Sequence, residues 1–224
     1  MRWVLRKIKR FADKFLGIKT DKFYWRFRHI FDGSWGNDYL SEKSMNLSYR
    51  KFLINKISEY FPFGTILEIG CASGANLYLL SEKFPKAKLY GIDISKKAIN
   101  VGRQYLQKNN IKNIFLEPRG TENLKNFGDK SVDIIFTASV LIYVAPDEIE
   151  LAIKEIFRVA KKAIILCESH ADSPDFLYAD HWIYNYELLL EKYISKEKIK
   201  ITKPPENLWD GNLSKYNYII EIIK

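Results

Sequence analysis

The segment Ile66-Leu-Glu-Ile-Gly-Cys-Ala-Ser-Gly74 constrains this chain more than any other. A short apolar run ends in small residues and passes at once into a helical pattern at about residues 75 to 83. Glycine permits backbone angles and close approaches that a side chain would block, so a strand turning this sharply into a helix aims backbone amides at a ligand. The alternation continues down the chain. Candidate strands at Thr65 to Ile69, Lys88 to Ile92, Asn113 to Glu117, Val132 to Thr137, Ala163 to Cys167, Lys198 to Ile201 and Tyr216 to Ile223 are mostly separated by helical patterns. Those helices fall at about 75 to 83, 95 to 109, 147 to 160 and 182 to 195, after a first one at about 44 to 60. Such alternation predicts an α/β protein with a doubly wound, mainly parallel sheet of seven strands. No helix is expected in the loop holding Pro204-Pro205 and Asp210-Gly211, so the last two strands should form a C-terminal antiparallel hairpin.

At 224 residues the chain has room for one substantial core with trimmings. Its 47% apolar and 28% charged content suits a folded domain rather than disorder or a fibre. The two cysteines, Cys71 and Cys167, fit a reducing compartment, and no Cys or His pair has zinc-ligand spacing; no acidic cluster accompanies the strand-end rim, so no metal is expected. The apolar stretch Ile134 to Pro146 is too short to span a bilayer. The net charge is +9, but residues 1–20 carry seven basic residues against Asp13, which leaves +3 on the rest. A nucleic-acid reader should concentrate its charge on the fold itself, so nucleic acid is not the expected partner.

Within residues 1–20, Val4, Leu5, Ile8, Phe11, Ala12, Phe15 and Leu16 recur at helical spacing with basic residues opposite them. This basic amphipathic helix is either an interfacial anchor on an anionic membrane surface or a helix that packs on the domain or on a partner with its lysines snorkelling. It lacks the apolar core and cleavage site of a signal peptide. The expected location is cytoplasmic, peripheral at the inner face of the membrane if the anchor holds. Residues 21–47 are aromatic-rich, with Phe23, Tyr24, Trp25, Phe27, Phe31, Trp35 and Tyr39, and read either as a lid or as an extension packed on the domain. Residues 48–224 form the main domain.

In open α/β sheets, ligands bind beyond the carboxyl ends of the strands, which here are Gly70, Asp93, Glu117, Thr137 to Val140 and Glu168 to His170. Asp93, in Gly91-Ile92-Asp93-Ile94, ends the second strand 19 residues after Gly74. A carboxylate there can accept both hydroxyls of a ribose; a solvated turn aspartate is the bland alternative.

Glu68, Gly70, Ala72 and Gly74, followed by Asp93, closely resemble the first two motifs of the class I S-adenosylmethionine-dependent methyltransferases, of the type 11/12-like kind. The resemblance implies a Rossmann-like sheet and S-adenosyl-L-methionine as cofactor, held by Glu68, Gly70, Ala72, Gly74 and Asp93 with Ile94 beside the adenine. Ala72 stands where the family has its middle glycine. After the third strand relatives present a Gly-Asp pair, whereas this chain reads Arg119-Gly120-Thr121-Glu122, so Thr121 or Glu122 substitutes. The run from Val132 to Val144 resembles the family's fourth motif, which borders cofactor and substrate and brings in Thr137. Many relatives have His in place of Tyr143, which here either lines the acceptor pocket or is a core tyrosine.

His170, at the carboxyl rim, can accept a proton, and His181 follows Tyr178 in the next segment. Residues 130–190 are similar to a subgroup of methyltransferases associated with nonulosonic-acid and other surface-glycan biosynthesis. The resulting expectation is methyl transfer to an O or N nucleophile of a small-molecule, glycan or lipid-linked acceptor, with His170, Tyr143 and His181 as candidate catalytic residues. Its rival is a catalytically inactive binding or scaffold protein with the same fold. A dehydrogenase is disfavoured by the glycine spacing.

Overall fold

A computed structural model describes residues 35–121, 123–178, 181–205, 208 and 214–224. The amphipathic segment 1–20 and the aromatic residues up to Phe31 lie outside the described residues. Nine strands follow one another among the described residues. They are β1 (Thr65–Ile69), β2 (Lys88–Asp93), β3 (Ile114–Pro118), β4 (Val132–Ala138), β5 (Ala160–Ser169), β6 (Phe176–Tyr178), β7 (His181–Ile183), β8 (Ile199–Thr202) and β9 (Asn217–Ile223). The helices are α1 (Trp35–Tyr39), α2 (Glu42–Met45), α3 (Ser48–Ser58), α4 (Ala75–Lys83), α5 (Lys96–Lys108), α6 (Pro146–Val159) and α7 (Tyr186–Glu191).

Seven strands form one sheet in the order β3-β2-β1-β4-β5-β9-β8, and β6 pairs with β7 separately. The first five are parallel, β9 runs antiparallel to β5, and β8 runs antiparallel to β9. This is the expected Rossmann-like sheet with its antiparallel end. Central strands of such a sheet are covered on both faces and therefore read as continuous apolar runs. In β4, Val132 to Thr137 are all buried. One face packs Leu67, Ile69 and Ile135 against Ile149, Ile153 and Ile156, which share a stripe of α6. The other packs Ile66, Ile134 and Phe136 against Leu53 and Ile57 of α3 and Leu77 and Leu80 of α4. The chain winds outward from β1 to β3 and returns on the other side through β4, so the crevice opens at the carboxyl ends of β1 and β4.

Asp133 works at the opposite end of the sheet. Its Oδ2 accepts the backbone N–H groups of Gly64 (2.7 Å) and Thr65 (3.2 Å), pinning the start of β4 to the start of β1. Two helices differ from the sequence expectation. The helix expected at 44 to 60 is divided into α2 and α3, with Ser41 Oγ capping the first by accepting Ser44 N–H. The helix expected at 182 to 195 shrinks to α7, because Asn185 Oδ1 accepts Leu188 N–H as an N-cap, and His181–Ile183 pairs instead with Phe176–Tyr178. No helix among the described residues is long and apolar enough to cross a membrane.

Candidate active site

The turn after β1 alternates left-handed residues, with φ of +73° at Gly70, +51° at Ala72 and +86° at Gly74. A Cβ on Gly70 would lie 2.2 Å from Val140 Cγ2, so only glycine fits beneath that side chain. Gly70 N–H and Cys71 N–H both donate to Ile92 O, at 2.7 and 2.9 Å, binding the turn to the end of β2. Asp93 completes the tie. Its Oδ2 accepts Ala72 N–H at 2.8 Å and its Oδ1 accepts Ser95 N–H at 2.7 Å. Burial raises the carboxyl's pKa above the usual aspartate range, while these two N–H bonds pull it back. Each oxygen keeps lone-pair capacity for a further donor. A left-handed non-glycine residue costs about 1–2 kcal/mol, and the bond to Asp93 holds Ala72 in that conformation where the family has glycine.

Glu68 lies below the turn, 2% exposed. Its Oε1 accepts Asn76 Nδ2–H at 2.6 Å, and its Oε2 has no hydrogen-bond partner among the described residues. Burial pushes the carboxyl up to about 8, against the lowering effects of Asn76 and Arg50. Asn76 Oδ1 in turn accepts Arg50 Nη1–H at 2.5 Å. The buried Arg50 guanidinium also donates to Ser44 O and Oγ and lies over the rings of Tyr39 and Tyr49. Ser73 Oγ–H donates to Gly36 O at 2.8 Å, so residues from α1 to α3 are bonded directly to the turn and to α4 behind it. Gly102 brings α5 equally close, since a Cβ there would lie 2.5 Å from Ser73 O. Sequence reasoning missed Arg50, Asn76 and Gly102. A glycine within a strongly amphipathic helix was the available signal for the last.

On the other wall, Ser139 leaves β4 with φ of +56°. The Glu168 carboxylate accepts Val140 N–H (3.0 and 3.1 Å) and Leu141 N–H (3.1 Å) and so fixes this corner, including the Val140 side chain over Gly70. Burial raises Glu168 to about 7 despite these bonds and the nearby Thr137 hydroxyl. Thr137 is fully buried beside it, beneath the rim. The 3-10 turn Leu141–Tyr143 then carries the Tyr143 hydroxyl to 3.2 Å from His181 Nε2, with the two rings 5.0 Å apart. Two sequence-selected residues separated by 38 positions therefore meet.

His170 stands apart from that pair. It is 3% exposed; Nδ1 accepts Tyr186 N–H at 3.2 Å, which assigns the proton to Nε2, 3.2 Å from Asp172 Oδ1. Neither nitrogen has a lone pair left for an acceptor's proton, and the ring braces the exit of β5 against α7. Ile94 is half-buried beside Asp93. Thr121 is half-buried in the turn after β3, which is tied back by Arg119 N–H donating to Asp93 O at 2.8 Å.

These features fit a cofactor with a ribose and a cationic amino-acid end, since the glycine cradle, the carboxylate at β2 and the unfilled oxygen of Glu68 converge on one turn. The sequence matches the family described as "Methyltransferase domain" over residues 63–214. A human tRNA N(3)-cytidine methyltransferase is 28% identical over 59% of this chain and 44% of its own length. An O-methyltransferase of Dictyostelium discoideum is 28% identical over 61% of this chain and 29% of its own. The chain thus spans less than half the length of these curated relatives. Among solved structures, a SAM-dependent methyltransferase from Aquifex aeolicus superposes with a TM-score of 0.61 at 20% identity, covering 85% of this chain and 97% of that one. The magnesium protoporphyrin IX methyltransferase of Synechocystis PCC 6803, solved with bound SAM, gives 0.65 at 18% identity over 91% and 97%. With more than half of its length inside the family match, the chain belongs to the methyltransferase-domain family and has the fold of solved S-adenosylmethionine-dependent methyltransferases.

Proposed function

We propose that this protein transfers a methyl group from S-adenosylmethionine to an oxygen or nitrogen of a small-molecule, glycan or lipid-linked acceptor. The observation that carries the reading is the Asp93 carboxylate, bonded to both Ala72 N–H and Ser95 N–H at the mouth of the glycine turn. Its remaining lone pairs suit two ribose hydroxyls. Glu68, with one carboxylate oxygen unfilled, suits the ligand's ammonium, and Gly70 and Gly74 allow the backbone to approach it. Bound S-adenosylmethionine supplies an electrophilic methyl carbon on its sulfonium. The chain's own part is to place the nucleophile in line and relieve it of a proton. The Tyr143–His181 pair is the candidate for that role, because His181 can take a proton directly or through the tyrosine hydroxyl. His170 keeps a positioning role at the exit of β5, where it ties that strand to α7.

Calorimetry with S-adenosylmethionine, and transfer of its labelled methyl group to polar extracts, test the reading. One saturable site and labelled products are expected. Tyr143→Phe should lower turnover on the order of 10²-fold while cofactor affinity stays within about twofold. Binding without transfer to any extract would favour the inactive scaffold, and no binding would end the reading altogether. For residues 1–20, equal sedimentation with anionic vesicles before and after their deletion would remove the membrane and, with it, the case for a lipid-linked acceptor.

A further inference from the structure

Beyond the Tyr143–His181 pair lies a group of aromatic rings and lysines that the methyl-donor site does not use. β6 and β7 pair with Tyr178 opposite His181. Residues directly opposite in an antiparallel pair project to the same face, so the Tyr178 ring continues the surface that His181 begins. Tyr178 packs edge-on to Tyr216 with centroids 5.2 Å apart, and Phe176 packs on Tyr216 at 5.7 Å. Lys215 Nζ lies 4.8 Å from the Tyr178 centroid and 4.7 Å from that of Tyr216. Lys203 Nζ donates to Lys215 O at 3.1 Å and lies 5.5 Å from the centroid of Tyr218, whose ring meets His170.

Both lysines are exposed, and no carboxylate among the described residues forms an ion pair with either. A ring face attracts an ammonium and sets its position without cancelling its charge. Each ammonium has three donors, and the ring contacts use none of them as a full hydrogen bond to an anion. The face therefore presents two positioned cations beside half-buried ring surfaces, at the same end of the sheet as the glycine turn. A neutral apolar ligand would gain nothing from the cations, and a bare anion would gain nothing from the rings. A ligand with both parts uses the whole surface.

We propose that Phe176, Tyr178 and Tyr216 with Lys203 and Lys215 bind the methyl acceptor, and that they select a small molecule whose ring carries a phosphate or carboxylate. The ring lies against Tyr178 and Tyr216, the anion meets the two ammoniums, and the nucleophilic atom faces Tyr143 and His181. This rests on the methyltransferase reading above, and the experiment separates the two. The full chain, saturated with S-adenosylhomocysteine, is titrated by calorimetry with phenyl phosphate, phenol and inorganic phosphate at physiological ionic strength. Phenyl phosphate should bind at one site, at least about tenfold more tightly than either phenol or phosphate.

The double variant Lys203→Gln/Lys215→Gln should weaken phenyl phosphate about tenfold or more, and Tyr178→Leu should weaken it several-fold. Because these lysines are surface groups, the affinity for S-adenosylhomocysteine should stay the same in the double variant, which serves as the folding control. Phenyl phosphate that fails to bind, binds no better than phosphate, or binds the double variant equally well would overturn the proposal. Failure of the wild-type chain to bind S-adenosylhomocysteine would instead strike the methyltransferase reading on which it stands.

Discussion

Asp93→Asn separates the two tasks given to this carboxylate, holding the turn and holding the ligand. In the native chain both oxygens accept backbone N–H groups, from Ala72 at 2.8 Å and from Ser95 at 2.7 Å. Asparagine keeps one acceptor oxygen and turns an NH2 group toward the other donor, so one charge-assisted bond becomes a donor facing a donor. The loss is about 1.5–3 kcal/mol, which for a chain of this size lowers Tm by roughly 3–12 °C at about 2–4 °C per kcal/mol. Cofactor affinity should fall further than stability alone explains. The amide cannot accept from two hydroxyls as the carboxylate can, and Ala72, released from its tie, leaves its left-handed conformation more easily. Two weakened charge-assisted bonds predict a loss on the order of 10²-fold in S-adenosylmethionine affinity by calorimetry. Ser95→Ala is the control. It removes the Oγ cap on Ala98 N–H (3.1 Å) but leaves Ser95 N–H on Asp93, so it should cost about 1 kcal/mol of stability with affinity intact. Asp93→Asn binding within twofold of wild type, or Ser95→Ala weakening binding equally, would refute the assignment of this carboxylate to the ligand.

Gly70→Ala should destabilise the chain by about 2–5 kcal/mol, combining the left-handed penalty with overpacking against Val140. Adding Val140→Ala should recover the packing share in urea unfolding; no recovery would mean that Val140 does not set the tightness of the cradle. Stability without ligand should also depend on pH. Glu68 and Glu168 are raised to about 8 and about 7 from 4.5, so between these values the folded chain binds more protons than the unfolded one and loses stability as pH rises. The slope reaches up to about 1.4 kcal/mol per pH unit for each group. Glu68→Gln should remove the part of the decline that lies above neutral pH, and an unchanged decline in that variant would sink the assignment.

The sheet was legible because its central strands are covered on both faces. Ile66 to Ile69 and Val132 to Thr137 read as mainly apolar runs, broken by Glu68 and Asp133, because helices lie above and below them. The glycine turn and Asp93 were legible for a related reason, since a left-handed backbone and a strand-end carboxylate each leave a trace at a single position. The β6–β7 pair left none. Three-residue strands are too short for a period, and the Leu188-Leu189-Leu190 run drew the reading toward a longer helix that Asn185 starts late. Arg50 was equally invisible, because its meaning lies in Asn76, 26 positions away, and through it in Glu68. His170 shows the converse. Its place at the rim and the neighbouring Asp172 are visible in the sequence, but the Tyr186 N–H that occupies its Nδ1 comes from 16 positions away, a contact that only the fold creates.

The three carboxylates around the crevice also differ in how completely the chain satisfies them, and that difference orders their roles. Glu168 accepts from Val140 and Leu141, and these bonds are spent on a corner that puts Val140 over Gly70 and Tyr143 against His181. Asp93 has both oxygens bonded yet lies half-buried at the crevice mouth, so it can hold the turn and still receive a ligand. Glu68 alone keeps a buried oxygen with no partner among the described residues. Leaving a buried polar atom unmatched costs about 1–3 kcal/mol, and Arg50, acting through Asn76, offsets only part of that cost from one side. A cationic group arriving from the crevice would complete the set and lower the carboxyl's pKa, releasing the proton that burial holds there. The chain of bonds from Glu68 through Asn76 and Arg50 ends on Ser44, so a ligand cation bound at Glu68 would bear on the junction of α2 and α3 as well.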